Sequence, residues 1–272
     1  MHNMHDAPAT LDPLVRHAPS FDLRRPARNA DFAWDEFSSS DYLAHNYNDL
    51  RADDNEILDL VVQWFARCLD DRMPAELAGL DVGTGPNLYP ALAMLPYCAK
   101  LTLREYSATN VAWLLEATAA LPPQWLPFWQ AISPADRTGG PGRFDAAATA
   151  LADRAMVEQG SVFNLPPAAW DLGTMFFVAE SISQDPAEFT AAVTAFVRAV
   201  KPGGPFAAAF MERSQGYEVA DKWFPATPVG RAEVRHCLEQ VAAELTVHRV
   251  EMRPAPLRPG YTGMIVATGR AR

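Results

Sequence analysis

Two hydrophobic periods take turns along most of this chain. Ile57, Leu58, Val61, Val62, Phe65 and Leu69 recur at helical spacing behind the acidic run Asp53-Asp54-Asn55-Glu56, which predicts an amphipathic helix with acidic caps at its start. Next comes LDVGTGPNLYP, residues 80–90, which reads as a short buried strand, a glycine turn and a helix start. Strand-like and helix-like segments then alternate: LAGLDV before a helix over 87–95, KLTLREY before one over 107–119, RAMVEQ, WDLGTMFFV before one over 186–200, and PFAAAFM. This alternation predicts a parallel sheet with helices on both faces. A helix over 231–244 precedes two last strands, LTVHRVEM and TGMIVATGR, which would close the sheet with an antiparallel edge. Between 121 and 142 prolines and glycines interrupt Trp125, Phe128 and Trp129, and the segment reads as a loop whose rings form a packing plug. Residues 1–35 lack periodicity and read as a partly ordered arm, with 36–272 as one domain that includes a helical lid over 36–75.

Composition narrows the partners. A chain of 272 residues with 49% hydrophobic content suffices for one large α/β domain. Its net charge of −10 disfavours a nucleic-acid surface, because phosphate neutralisation needs clustered Lys and Arg. Three widely spaced cysteines, Cys68, Cys98 and Cys237, indicate neither a disulfide framework nor a zinc site. No His-x-x-x-His pair suggests another metal. The opening MHNMHDAPAT lacks the basic-then-apolar order of a signal peptide, and no apolar run is long enough to span a bilayer, so a cytoplasmic protein without a membrane partner is expected, as monomer or homodimer.

The glycine turn carries the first chemical signal. A phosphate-binding P-loop needs a Lys after its second glycine, and none occurs between Gly83 and Lys100. A dinucleotide fingerprint needs a third glycine where Leu88 stands. Twenty residues after Gly85, the next strand ends in Glu105, where doubly wound sheets commonly hold ribose hydroxyls. A short glycine loop with a diol-binding acid and no pyrophosphate seat points to S-adenosylmethionine, whose product is S-adenosylhomocysteine. The same pattern also suits an ordinary tight turn with Glu105 on the surface.

Several further segments carry a family resemblance. FSSSDYLAHNY (37–47) is similar to an F-x4-Y-L-x-x-N-Y segment, LDVGTGPNLYP to D-[IV]-G-[ST]-G-P-x-x-Y, and LREYSATN to T-D-[FY]-x-x-x-N. Together with DLGTMFFVAESIS and VKPGGPF, they make the chain from Trp34 onward resemble the nicotinamide, phenylethanolamine and indolethylamine N-methyltransferases, which are class I methyltransferases with a Rossmann-like seven-stranded sheet. The resemblance implies a small-molecule acceptor and places the cofactor residue by residue. Tyr42 and Tyr47 would meet its carboxylate end, with Trp34 as a lid; Gly83 and Gly85 would approach the methionine portion, and Tyr89 would add a hydroxyl there. Glu105 would hold the ribose, Tyr106 would pack on the adenine, and Asn110 would lie beside it. The family usually shows Asp-Val at the adenine amino group, where this chain offers Ser161-Val162.

Methyl transfer from a sulfonium is an in-line displacement, so the protein has to align the reactants, exclude water and keep the acceptor lone pair unprotonated. Glu180, just past the fourth strand, is the expected catalytic acid or base, matching an acidic residue that faces the acceptor in the resembling family; the alternative is that it caps a turn. Phe177, Glu212 and Tyr217, with Ser214 and Trp223, are candidates for the acceptor wall. Arg258 stands where amine-binding relatives often carry an acid and would contact an acidic acceptor. His45 could titrate near the lid, or be a solvated surface residue. Methyl transfer to a nitrogen of a small molecule is the leading expectation; the alternatives are O-methylation and a non-catalytic protein that binds the cofactor or its product.

Overall fold

Hydrophobic runs become strands buried on both faces. A computed structural model describes residues 25–69, 77–133, 141–253 and 260–272, so most of the expected N-terminal arm and Arg258 lie outside the described residues. In chain order the elements are α1 (Ser39–Asn46), α2 (Ala52–Leu69), β1 (Leu77–Val82), α3 (Tyr89–Met94), β2 (Cys98–Glu105), α4 (Ala108–Ala119), α5 (Leu126–Ile132), α6 (Pro141–Arg154), β3 (Ala155–Gln159), β4 (Leu172–Phe176), α7 (Pro186–Ala199), β5 (Pro205–Glu212), β6 (Gly216–Val219), β7 (Lys222–Pro225), α8 (Arg231–Glu239), β8 (Ala242–Val250) and β9 (Gly263–Ala271).

The strands form a seven-stranded sheet in the order β3-β2-β1-β4-β5-β9-β8. The pairs β3-β2, β2-β1, β1-β4 and β4-β5 are parallel. β9 lies antiparallel between β5 and the outermost β8. Strand order reverses next to β1, and in such sheets ligands settle in the crevice at the carboxyl ends there. The period of two sorts side chains between two cores: Ala207, Ala209 and Met211 of β5 pack with α2, α3 and α5 on one face, while Phe206, Ala208 and Phe210 pack with α7 and α8 on the other.

α2 forms as its pattern predicts, burying Ile57, Leu58, Val61, Phe65 and Leu69. Its acidic start is different from the expected exposed cap. Asp53 and Asp54 are buried in the first turn, because Arg51 grips Asp53 with two hydrogen bonds of 3.0 and 2.9 Å.

Three other expectations change. The segment over 121–142 is helical where it is described, a 3-10 turn at Pro123–Trp125 running into α5 and, after residues 134–140, α6. Its prolines sit at first-turn positions, where a missing N–H costs nothing, and so start these elements. Its rings do form a plug: Trp125 and Phe128 are fully buried. α8 stops at Glu239, five residues short of the expected end by residue number, because Ala242 already pairs with Ala271 in the sheet. The hairpin β6-β7 has no turn motif in the sequence to signal it.

That hairpin and the N-terminal segment cover the carboxyl ends of the strands. Asp35 accepts the Ala108 amide at 2.7 Å and so caps α4, while Glu36 pairs with Lys222 of β7. Held from both sides, Trp34 stacks on Phe224, with ring centroids 5.3 Å apart. Further back, Arg28 pairs with Asp185 at 2.9 Å, and Asp185 also caps α7.

Candidate active site

The turn after β1 needs both of its glycines. Gly83 and Gly85 have φ of +63° and +47°, the left-handed region that costs an L-residue roughly 1–2 kcal/mol. A Cβ on Gly83 would also lie 2.5 Å from Cγ2 of Val178. The backbone therefore sits flush against the exit of β4, leaving open a cavity lined by the turn on one side and the lid on the other. Pro86 follows, and Tyr89 begins α3 with Pro90 in its first turn.

Glu105, at the end of β2, closes one end of the cavity. Its carboxylate accepts the amides of Gly85 (2.9 Å), Tyr106 (2.7 Å) and Ser107 (2.8 Å). Burial raises its pKa, against the lowering effect of those amides and of the Asn110 carboxamide. Glu105 thus ties the glycine turn to β2, and a diol at this end would have to share it with the Gly85 amide. Asn110 in turn accepts from Ser39 of α1 at 2.6 Å, which links the lid to the same node. Tyr106 lines the cavity while nearly half exposed, and Ser161 and Val162 line it beside Gly160 and Arg104. Ser161 caps the 3-10 turn that follows by accepting the Phe163 amide at 3.2 Å. Arg104 pairs with Glu158 at 2.9 Å and packs so closely on Gly160 that a Cβ there would fall 2.3 Å from the guanidinium.

The opposite end is built from hydroxyls and one carboxamide. Trp34, Tyr42 and Tyr47 line it as expected, together with Asn87 of the glycine turn. Both polar atoms of the Asn87 side chain are buried and lack a hydrogen bond within 3.5 Å. The Tyr89 hydroxyl is near enough to feel that carboxamide without bonding it at that distance. Tyr89 itself is not on the cavity surface. It is fully buried, stacked on Phe128 at 5.6 Å, and donates to Asp54 at 3.2 Å. Its expected contact with the cofactor is replaced by a place one layer behind Tyr47, whose ring meets its own edge-on at 5.8 Å.

The middle of the cavity is aromatic. Phe37, Phe176, Phe177 and Tyr217 line it with Trp34 and Tyr42. Phe177 holds φ at +60° while its amide bonds Ala209 at 2.7 Å, a strained placement that turns the chain at the end of β4 across the cavity. Tyr217 reaches in from β6 and donates to the Ser181 carbonyl at 3.3 Å. Among the described residues, the only charged side chains on the lining are Arg104 and Glu105, at the same end.

Glu180 and Glu212 do not join them. Glu180 is completely buried, and its Oε1 accepts the Met211 amide at 2.9 Å and the Ser181 hydroxyl at 3.2 Å. The expected catalytic carboxylate is thus engaged in fastening β5 to the loop after β4, behind the residue that reaches the lining, Ser181. Glu212 is held by Arg249 (2.8 Å) and Thr262 (2.8 Å) at the far end of β5. Ser214 and Trp223 are also off the lining, and His45 is exposed. Asn29 lines the cavity without any signal in the sequence, whereas Arg104 and Ile182 lie in the resembling segments LREYSATN and DLGTMFFVAESIS. Phe37 and Asn87 had one, since they lie in the resembling N-terminal segment and in the glycine turn itself.

Two more carboxyls stand behind this cavity. Asp81 of β1 accepts from Thr174 at 2.6 Å with one oxygen, the other being buried without a partner, and burial pushes its pKa up to about 7. Asp54 is also pushed up to about 7, first by burial and then by the charge of Asp53. Among the described residues no group of His, Cys, Asp and Glu could hold a metal ion, and no helix is long and apolar enough to cross a membrane.

Part of the chain matches a known family. Residues 27–133 match the model of the NNMT/PNMT/TEMT family. Phenylethanolamine N-methyltransferase of Sus scrofa is 25% identical over 243 residues, covering 84% of this chain and 85% of the relative. The Bos taurus enzyme of that name is 24% identical with the same coverage. Among solved structures, 1,6-didemethyltoxoflavin-N1-methyltransferase of Burkholderia thailandensis, bound to 1,6-didemethyltoxoflavin and S-adenosylhomocysteine, matches with a TM-score of 0.47 and 16% identity, covering 86% of each chain. The N-methyltransferase NodS of Bradyrhizobium japonicum, in complex with S-adenosylhomocysteine, matches at 0.45 and 12%, covering 81% of this chain and 88% of that one.

Proposed function

We propose that this S-adenosylmethionine-dependent methyltransferase, whose residues 27–133 match the NNMT/PNMT/TEMT family, transfers the methyl group to a nitrogen of a small, largely apolar acceptor. The observation that carries this reading is the wall of Trp34, Phe37, Phe177 and Tyr217, with no carboxylate or cation beside it among the described residues.

The cofactor supplies an electrophilic methyl on a cationic sulfur. The chain's own residues fit it in two ways. Gly83 and Gly85 bring backbone to the cavity, with no room for a Cβ at Gly83, and the buried Asn87 carboxamide offers donors and an acceptor that no protein group uses. We place the methionine end at Asn87, Tyr42 and Tyr47, and the ribose and adenine toward Glu105, Tyr106, Ser161 and Val162. In that orientation Trp34, Phe37, Phe177 and Tyr217 would face the transferable methyl.

As the methyl moves, positive charge passes from sulfur to nitrogen. Aromatic faces stabilise a cation by roughly 0.5–2 kcal/mol each without binding a proton, so the wall favours the charged product relative to a neutral ether. Oxygen acceptors have a further need, a base to remove the hydroxyl proton at or before transfer. Glu180 is turned toward Met211, so the lining offers no base at this wall. A neutral nitrogen with a free lone pair needs none.

A panel of neutral amines, aromatic nitrogen heterocycles and phenols, assayed with S-adenosylmethionine, tests the reading. Turnover confined to nitrogen acceptors is expected. Phenols turned over in preference to every nitrogen compound would refute it.

A further inference from the structure

Behind the hydroxyl-rich end of the cavity lies a buried carboxylate that the transfer chemistry does not use. Asp54 accepts the Tyr89 hydroxyl at 3.2 Å, Tyr89 packs edge-on against Tyr47 at 5.8 Å, and Tyr47 forms part of the lining. Tyr47 is also hydrogen-bonded to Tyr42, another lining residue. Asp54 is therefore separated from the cavity by the rings of Tyr89 and Tyr47 and is itself 2% exposed.

The charges around it are unbalanced. Asp53 precedes it and is completely buried, with its two oxygens gripped by Arg51 and one of them also receiving the Arg253 amide at 3.4 Å. Arg51 is the cation facing this pair, and it is committed geometrically to Asp53. The other side chains that act on this pair, Tyr42, Tyr47, Tyr89 and, through Arg51, Tyr261, carry phenolic hydroxyls and bring no cation. One guanidinium therefore serves two buried carboxyls, and the charge of Asp53 adds to burial, the larger cause, in raising the pKa of Asp54.

We propose that Asp54 is a positioning residue of the cofactor site, which takes up a proton when the carboxylate-bearing end of S-adenosylmethionine settles against Asn87, Tyr42 and Tyr47. This rests on the cofactor orientation given above. A ligand carboxylate brought to the other side of the Tyr47–Tyr89 layer adds a second negative charge in a region of low dielectric, and a proton on Asp54 removes the repulsion. Once protonated, Asp54 donates a hydrogen bond as well as accepting one. It can then keep its proton and donate a hydrogen bond to the Tyr89 oxygen, letting that hydroxyl donate toward Asn87, which turns the donors of this corner to face the ligand.

Isothermal titration of the full-length protein with S-adenosylhomocysteine at pH 8, in buffers of different ionisation enthalpy, reads the proton directly. Uptake of close to one proton per ligand is expected, with affinity weakening by up to about tenfold per pH unit above 7. Adenosine, which lacks the carboxylate, should bind with no uptake. Asp54→Asn should abolish the uptake and flatten the pH profile of KM for S-adenosylmethionine while kcat keeps its own, and Asp54→Glu should restore the uptake. Wild-type binding without uptake, or equal uptake with adenosine, overturns the proposal without recourse to any variant. Tyr42→Phe and Asn87→Ala both leaving S-adenosylhomocysteine affinity intact would instead refute the orientation on which the proposal rests.

Discussion

Replacing Asp81 by Asn should reverse its effect on stability between acid and alkaline pH. The carboxyl is completely buried under the glycine turn, and its pKa rises from 3.8 to about 7 on folding. A carboxyl whose folded value is raised supports the fold fully below its unfolded value and loses that support as pH climbs through the folded one. The window is therefore pH 4 to 7. A rise of about three pH units at ~1.4 kcal/mol each gives ~4 kcal/mol lost across it, a large share of the ~5–15 kcal/mol that stabilises a domain. The carboxamide of the Asp81→Asn variant would keep an oxygen for the Thr174 hydroxyl, now 2.6 Å from Asp81, but would set an amide donor at the oxygen that has no partner. That orphan donor costs about 1–3 kcal/mol at every pH. Urea unfolding of both proteins at intervals from pH 4 to 8.5 isolates the one group in the difference curve. The variant should be less stable below pH 4.5 and more stable above pH 7.5. A difference that does not change with pH would refute the assignment of the buried charge.

Three other substitutions probe the site. Glu180→Gln should keep kcat within a few-fold and destabilise the protein by ~1–2 kcal/mol, since the carboxylate bonds Met211 and is off the cavity lining; a fall in kcat of a hundredfold or more with the fold intact would return it to the role of base. Gly83→Ala combines the left-handed penalty with a 2.5 Å approach to Val178, so S-adenosylhomocysteine affinity measured by calorimetry should drop at least tenfold. Glu105→Gln leaves one oxygen for the Tyr106 and Ser107 amides and points an NH2 at the Gly85 amide; a loss of roughly 1.5–3 kcal/mol in thermal or urea stability is expected, and unchanged stability would contradict the node described above.

Periodicity made the sheet legible, because strands covered on both faces read as near-continuous apolar runs such as PFAAAFM and WDLGTMFFV. The glycine turn was legible for a different reason: the left-handed φ at Gly83 and Gly85 favours glycine, and Gly83 also lies hard against Val178. What failed to show was everything set by distant partners. Asp54 looks like a surface cap until Tyr89 is seen to enclose it. Glu180 reads as a residue of the cavity by position at a strand end, yet its rotamer is decided by the Met211 amide on β5. Tyr89 matches a motif, but Phe128, from a segment that reads as a loop, stacks on its ring and holds it in the core. Local pattern reports which residues belong to an element; which way a polar side chain faces depends on donors many residues away in sequence.

We propose methyl transfer to nitrogen, guided by an aromatic wall without a base. Incubation with S-adenosylmethionine carrying a 13C-labelled methyl, and a carbon-proton correlation spectrum of the product formed from a molecule offering both an aromatic nitrogen and a phenol, tests it most directly. A single labelled signal at the N-methyl position is expected. A labelled O-methyl signal as the main product would contradict it.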